Sequence, residues 1–268
     1  MTLVLVHGNP ETPAIWDPMC TALAERNDGI EGEGIEVVAL SPPGFGAPVP
    51  DGFGATMAEY RDWLVAELET LNARPDGGPV DLLGHDWGGG HVMRIAMERP
   101  DLIRSWCTDM IGLFDRDYEW HDAAQVWQSP DGEASIERMI SRPDDRRIPF
   151  YAGMGMGTAV ATALVPNINA DMGASILALY RDAAQPAMAR LGEGLEAAAA
   201  RPGLCILATG DHFTGGDHKH RRCAERAGAQ VVELADVGHW WMCENPELAA
   251  QTVASWVASL DAGGAASA

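Results

Sequence analysis

Basic side chains are scarce in this 268-residue chain, where 18 Lys plus Arg stand against 39 Asp plus Glu and give a formal charge of −21. A surface of that sign repels phosphate backbones and anionic headgroups, so neither nucleic acid nor a membrane surface is an expected partner. Cysteine is also sparse. Cys20, Cys107, Cys205, Cys223 and Cys243 form an odd, widely spaced set without a CxxC pair, which argues against a disulfide framework or a thiolate zinc site and favours a reducing cytoplasm. Long apolar runs are missing as well: Leu3 to Val6 and Cys205 to Ala208 are far too short to cross a bilayer, and no basic segment precedes an apolar stretch at the N-terminus. No internal repeat is evident.

What is present is an alternation. Thr2 to His7 reads as a buried parallel strand ended by His7-Gly8-Asn9-Pro10. Asp17-Pro18 supplies an N-cap and N1 proline for a helix through about Arg26, and Ile35 to Leu40 is a second strand. Thr56 and Glu59 stand at capping-box spacing, ahead of a helix whose apolar face is Met57, Tyr60, Leu64, Leu68 and Leu71. Val80 to Leu83 and Ile103 to Ile111 are further strands, with a helix from Trp87 to about Glu98 between them.

The alternation stops at about Phe114 and resumes near residue 201, with a strand from Leu204 to Thr209, a helix around Lys219 to Ala227, a strand from Val231 to Leu234 and a helix from Pro246 to Leu260. A frayed tail is expected over Asp261 to Ala268. The pattern predicts an α/β fold, a mostly parallel sheet with helices on both faces. Residues 1–113 and 201–268 make the core domain, and 114–200 a helical lid whose Met154 and Met156 give it an adaptable surface.

Gly84-His85-Asp86-Trp87-Gly88 has the G-x-nucleophile-x-G form in the strand–turn–helix context that motif needs. Aspartate in the central place changes the reaction class. A carboxylate is ionised near neutral pH, so it can displace a leaving group from saturated carbon and form an alkyl ester. A histidine is then needed to activate the water that hydrolyses the ester. His239, in Gly238-His239-Trp240 beyond the Val231 to Leu234 strand, is placed for that task. Two acids compete to orient it: Asp211, preferred because it preserves the chain order nucleophile, acid, histidine, and Asp109, at the end of the strand before the insertion. Asp217 is a weaker third. The group His212, His218, His220 and Asp217 matches no established metal-ligand spacing, and no metal is expected.

His7-Gly8-Asn9-Pro10, Trp16, Gly84-His85-Asp86-Trp87-Gly88 and Gly238-His239-Trp240 together resemble the α/β-hydrolase branch that contains epoxide hydrolases and haloalkane dehalogenases. The resemblance implies a cofactor-free hydrolase acting with water on a small apolar epoxide or halogenated substrate. It assigns the backbone N–H groups of Asn9 and Trp87 to the oxyanion hole. In a dehalogenase the Asn9 and Trp87 side chains would hold the halide. In an epoxide hydrolase Tyr180, in Tyr180-Arg181, would protonate the opening ring and leave a vicinal diol.

A second lid donor has no motif of its own. Tyr118 and Tyr151 lie in the insertion, and Trp120, His121 and Trp127 are other candidates. The arginines with which fluoroacetate dehalogenases hold a carboxylate are replaced by Trp87 and Gly90. Epoxide hydrolase is the first expectation, haloalkane dehalogenase the second, and a non-catalytic small-molecule receptor on the same fold the third. Family members usually carry two strands before the His-Gly-x-Pro strand. A sheet of about six strands is therefore expected here, with an edge that must be blunted or covered, possible homodimer contacts included.

Overall fold

The computed structural model describes residues 1–27 and 34–265. Six strands, β1 (Thr2–Val6), β2 (Glu36–Leu40), β3 (Val80–Gly84), β4 (Ile103–Thr108), β5 (Gly203–Ala208) and β6 (Gln230–Leu234), form one sheet in the order β2-β1-β3-β4-β5-β6. Every pairing is parallel. The strands β1 and β3 are almost wholly buried and, apart from Thr2 and from Asp81, which pairs with Arg104, apolar, as strands covered on both faces must be. The edges β2 and β6 are partly exposed and carry Glu36 and Glu233 outward, charges that discourage strand addition.

Chain direction across the sheet reverses between β1 and β3, and the register Val6↔Gly84 sets their carboxyl ends side by side. In an open parallel sheet that switch point opens a crevice, and here it is flanked by the loops carrying Asn9 and Asp86.

The helices of the core are α1 (Asp17–Asn27), α2 (Met57–Asn72) and α3 (Trp87–Glu98). The capping box of α2 is formed: Thr56 Oγ1 accepts from the Glu59 amide at 3.2 Å and Glu59 Oε2 from the Thr56 amide at 3.1 Å. Tyr60, Leu64, Leu68 and Leu71 are its buried face. Asp17 does not cap α1, because a 3-10 turn over Pro13–Trp16 runs directly into the helix and makes Asp17 its first residue.

Strand β4 stops at Thr108, short of the Ile111 expected. The Met110 amide donates to Thr108 Oγ1 at 3.0 Å and turns the chain out of the ladder into a 3-10 turn at Ile111–Phe114.

Between β4 and β5 no strand forms among the described residues. The segment instead holds α4 (Asp122–Gln128), α5 (Gly132–Ser141), α6 (Asp144–Tyr151), α7 (Gly157–Leu164), α8 (Ala170–Asp182) and α9 (Ala187–Leu191). Apolar segments that are short in sequence combine here: Asp144–Asn167 is one helical stretch of 24 residues, long and apolar enough by length and composition to cross a membrane. It is kinked at Gly155, where φ is 122°.

The chain closes with α10 (Asp217–Arg226), α11 (Trp241–Glu244) and α12 (Pro246–Ala265). Helix α12 runs past the expected Leu260 end, and only residues 266–268 of the expected tail lie outside the described residues.

Candidate active site

Asp86 sits between β3 and α3 with φ 50° and ψ −130°, a backbone conformation that costs a residue with a Cβ about 1–3 kcal/mol. The neighbouring glycines make the turn possible. A Cβ on Gly88 would stand 2.1 Å from the Val6 carbonyl oxygen, and one on Gly8 would stand 2.2 Å from Asp86 Oδ1. The close approach of the β1 and β3 loops therefore requires hydrogen in place of a side chain at both positions.

The same approach places the Asn9 amide 2.8 Å from Asp86 Oδ1, to which it donates. Asp86 Oδ2 faces His239 Nε2 at 3.7 Å. His239 Nδ1 lies 2.8 Å from Asp211 Oδ2, and Asp211 Oδ1 accepts from the Phe213 amide at 2.7 Å. Asp211 is thus the acid that meets His239. Asp109, the alternative, does not reach it, and Asp217 is the first residue of α10.

The charges of this trio are strongly perturbed. Burial pushes the Asp86 carboxyl up to about 6 against the opposing pull of His239. Burial would also raise Asp211, but the His239 imidazole outweighs it and holds the carboxyl at about 2. Burial would lower His239, and the Asp211 charge overrides it to raise the imidazole above its ordinary value. The arrangement can hold an ionised Asp86 above pH 6 beside a base already oriented by an ionised acid.

Behind this trio lies a second carboxylate–imidazole–carboxylate set that the sequence reasoning missed. His85 Nδ1 meets Asp109 Oδ2 and His85 Nε2 meets Glu11 Oε1 at 3.0 Å, all three side chains being buried. Glu11 also accepts from Trp240 Nε1 at 2.7 Å and from the Gly8 amide at 2.8 Å. Asp109 accepts from Trp241 Nε1 at 2.7 Å and from the Asp86 amide at 3.1 Å. These bonds tie the Asn9 loop, the Asp86 turn and the His239 loop to one polar knot.

Burial would lower His85, but Asp109 and Glu11 raise it well above its ordinary value, and burial would raise Glu11, but His85 brings it to about 2. His85 and Glu11 are therefore held toward their charged forms. One signal was available: a histidine between a buried strand and a buried helix needs partners for both ring nitrogens.

Glu11, His85 and His239 bring ligand atoms within 4.8 Å of one another, close enough for a metal ion. Both nitrogens of His85 and Nδ1 of His239 are already bonded to carboxylates, so the set is closed by its own hydrogen bonds. Of the histidines near Asp217, His220 is committed to the carbonyls of Gly216 and Asp109 at 3.2 and 2.8 Å.

Tyr180 comes from α8 and is buried, and its hydroxyl oxygen accepts from Asn9 Nδ2 at 3.0 Å. Trp127, Trp120 and Trp87 surround its ring at centroid distances of 4.8, 5.3 and 5.5 Å. Burial, with the Asp86 charge adding to it, holds the phenol well above its ordinary pKa, so it stays protonated. Trp87 Nε1 is buried without a hydrogen-bond partner, as is Asn9 Oδ1.

Among the other lid donors, Trp120 is committed, its Nε1 donating to the Ala183 carbonyl at 3.2 Å, and the Tyr118 hydroxyl donates to the Phe213 carbonyl at 3.2 Å. His121, Trp127 and Tyr151 line a cavity of about 330 Å³ together with Asp86, His239 and Tyr180. His121 Nδ1 accepts from the Ala124 amide at 3.3 Å, and burial followed by the His239 charge lowers the ring to about 4. A neutral imidazole that accepts at Nδ1 carries its proton on Nε2, as a donor.

Comparison with known proteins agrees with this architecture. The chain is 26% identical over 142 residues to (E)-2-((N-methylformamido)methylene)succinate hydrolase of Acinetobacter baylyi, a match covering 52% of this chain and 49% of that relative, about half its length. It is 29% identical to haloalkane dehalogenase 2 of Mycobacterium bovis, over 94% of this chain and 86% of the relative. Among solved structures, haloalkane dehalogenase DbeA from Bradyrhizobium elkani USDA94 superposes with a TM-score of 0.71 at 20% identity, covering 98% of this chain and 91% of that one. The model of the alpha/beta hydrolase family matches residues 3–252, and with the parallel sheet, the strained turn at Asp86 and the His239 loop in place, the chain belongs to that family.

Proposed function

We propose that this hydrolase opens an epoxide to a vicinal diol through an alkyl ester on Asp86. Asp86 Oδ1 is held by the Asn9 amide, so Oδ2, on the open side toward His239, attacks the epoxide carbon. The carbon–oxygen bond of the ring breaks, and its electron pair stays on oxygen, which takes a proton from Tyr180 Oη, with His121 Nε2 as the second donor. His239 then removes a proton from water, and the resulting hydroxide adds to the ester carbonyl carbon. The developing oxyanion on Oδ1 is stabilised by the amides of Asn9 and Trp87. The acyl–oxygen bond breaks, His239 returns its proton to the leaving alkoxide, and the proton that the added hydroxide left on the new Asp86 carboxyl passes to the Tyr180 phenolate. The net change is the addition of one water.

The observation that carries this reading is the Tyr180 hydroxyl: buried, protonated, and bonded to the same Asn9 whose amide holds Asp86. The helical segment between β4 and β5 acts as the lid that delivers it. Replacing His239 with Gln should stop the second half-reaction. Incubation of that variant with styrene oxide is expected to add one substrate mass to the peptide containing Asp86, and an unmodified peptide alongside retained diol formation would exclude the ester.

A haloalkane dehalogenase is the second reading. It is favoured by the unpartnered, buried Trp87 Nε1, a donor available to a halide, and by the similarity to haloalkane dehalogenase 2. Against it, one of the two Asn9 Nδ2 hydrogens is spent on the Tyr180 hydroxyl, which leaves a single N–H for a halide.

A further inference from the structure

We propose that the wall of the cavity built by α5 and α6 is an anion subsite, and that the natural substrate carries a carboxylate on the far side of an apolar middle from its reacting carbon. This deepens the reading above and rests on it only in taking the cavity beside Asp86 as the reaction site.

Arginine is concentrated here in a chain that has little of it. Arg138, Arg142, Arg146 and Arg147 fall within ten residues of a chain with 18 Lys plus Arg and a charge of −21. Arg138, Arg142 and Arg147 line the cavity, and Asp86 is the single carboxylate among the residues that do. On α5 the lining positions are Ser135, Arg138, Met139 and, just past its end, Arg142. That i, i+3, i+4, i+7 spacing is one helical face, so the two guanidinium groups are presented together.

Two of the three lining arginines lack a carboxylate partner, as do Arg146, Arg190 and Arg201 outside the cavity among the described residues. The arginines at 61, 94, 99, 104, 181, 221, 222 and 226 are each bonded to a carboxylate. Among the described residues, Arg138 and Arg142 meet no carboxylate within 4.0 Å. Arg142 is steadied instead by the ring of Phe150, another lining residue, whose centroid lies 5.0 Å from its Cζ. The Arg147 side chain is only 12% exposed and is fixed by Asp144 Oδ1 at 2.6 Å and the Ile168 carbonyl at 3.1 Å, while its Nε is buried without a partner. A buried N–H with nothing to donate to, in the wall of a cavity, is a position for an acceptor.

The cavity that holds these cations and Asp86 is also lined by apolar and aromatic side chains, Met139, Met154, Tyr151 and Trp127. Such a site fits a molecule with an anionic head and an apolar stem. In an acidic protein a local cationic wall also draws that anion in against the overall repulsion.

The test uses the wild-type protein and two inert probes of equal length, 5-phenylvalerate and 5-phenylpentan-1-ol, titrated calorimetrically at pH 8 and low salt. The carboxylate is expected to bind at least about tenfold more tightly than the alcohol, as a charge-assisted bond to guanidinium provides. The R138Q/R142Q double variant, altered at exposed positions, should lose that preference while binding the alcohol as before. The R138K/R142K variant should keep part of it. Raising the salt should weaken the carboxylate alone. Equal binding of the two probes to wild type, absent binding of the carboxylate at millimolar concentration, or a preference that survives in R138Q/R142Q would overturn the subsite. Neither probe reacts, so an ester found on Asp86 with a neutral epoxide leaves the chemistry standing even when the carboxylate preference fails.

Discussion

The rings of His85 and His239 lie 4.6 Å apart between centroids, yet each is bonded to a different set of acids. His239 answers to Asp211, and His85 to Asp109 and Glu11. Two neighbouring imidazoles that would repel each other when charged are thus held by three carboxylates. Asp86 stands at their edge, where burial raises its pKa and both histidines lower it. The division of labour among the acids follows, and it leads to different expectations for two substitutions that look alike in sequence.

Asp211→Asn removes the charge that orients His239 and raises its basicity. Loss of a general base costs about 10²–10⁴-fold, so ester hydrolysis should slow by roughly hundredfold or more while formation of the ester persists. Asp109→Asn instead leaves buried His85 with one acid and the Asp86 amide with a weaker acceptor. Breaking a buried pair costs about 3–5 kcal/mol, which should appear as a lower urea midpoint. Rapid-quench kinetics and unfolding curves on both variants separate the roles. Ester accumulation in Asp109→Asn without loss of stability would exchange them.

The acid limb of the reaction should have two positions. In the proposed mechanism Asp86 attacks as the anion, so ester formation should be present above its pKa of about 6 and be lost as pH falls through it. His239 must be neutral to take a proton from water, and its pKa is raised above the ordinary value, so ester hydrolysis fails at a higher pH than ester formation. The two groups face each other at 3.7 Å, and the values observed belong to the pair. Single-turnover profiles measured for the two steps should show this order. Coincident limbs, or the reverse order, would count against the assignment. Tyr180 is held well above its ordinary pKa, so no loss on the basic side is expected below about pH 10.

Tyr180→Phe should reduce turnover of styrene oxide by roughly hundredfold, since the ring oxygen then lacks its main proton source, and should change turnover of 1-bromobutane much less. A bromoalkane loss as large as the epoxide loss would count against a proton-donor role of Tyr180 specific to the epoxide.

Gly88→Ala tests the turn itself. Its Cβ would stand 2.1 Å from the Val6 carbonyl oxygen, a backbone atom that cannot swing aside. A loss of about 1–3 kcal/mol or failure to fold is expected, measured by urea unfolding. A variant as stable as wild type would mean that β1 and α3 are less closely packed than described.

The strands, the helix with the Thr56 cap, and the site positions Asp86 and His239 were readable because each rests on local pattern: apolar runs of strand length, capping spacing, and glycines flanking a turn, while Asn9 came only from the resemblance. The order β2-β1-β3-β4-β5-β6 is not decided by that alternation, since it is set by which strands pair. What escaped was decided by contacts distant in sequence. Glu11 belongs to no motif, and it meets His85, 74 positions away, because β1 and β3 lie side by side. Trp120 looked like a free donor until α8 and its following turn supplied the Ala183 carbonyl. Strand β4 looked longer because Met110 and Ile111 are apolar, while the Thr108 hydroxyl that ends it acts through a single hydrogen bond.

The most direct measurement is a single turnover of excess enzyme with styrene oxide in heavy-oxygen water, followed by mass spectrometry of the peptide containing Asp86. Water that adds to the ester carbonyl leaves its oxygen in the carboxylate, so the peptide should gain label and the first diol should carry unlabelled oxygen from Oδ2. A labelled diol with an unlabelled Asp86 would mean that water attacks the epoxide directly, and the carboxylate would then be no nucleophile.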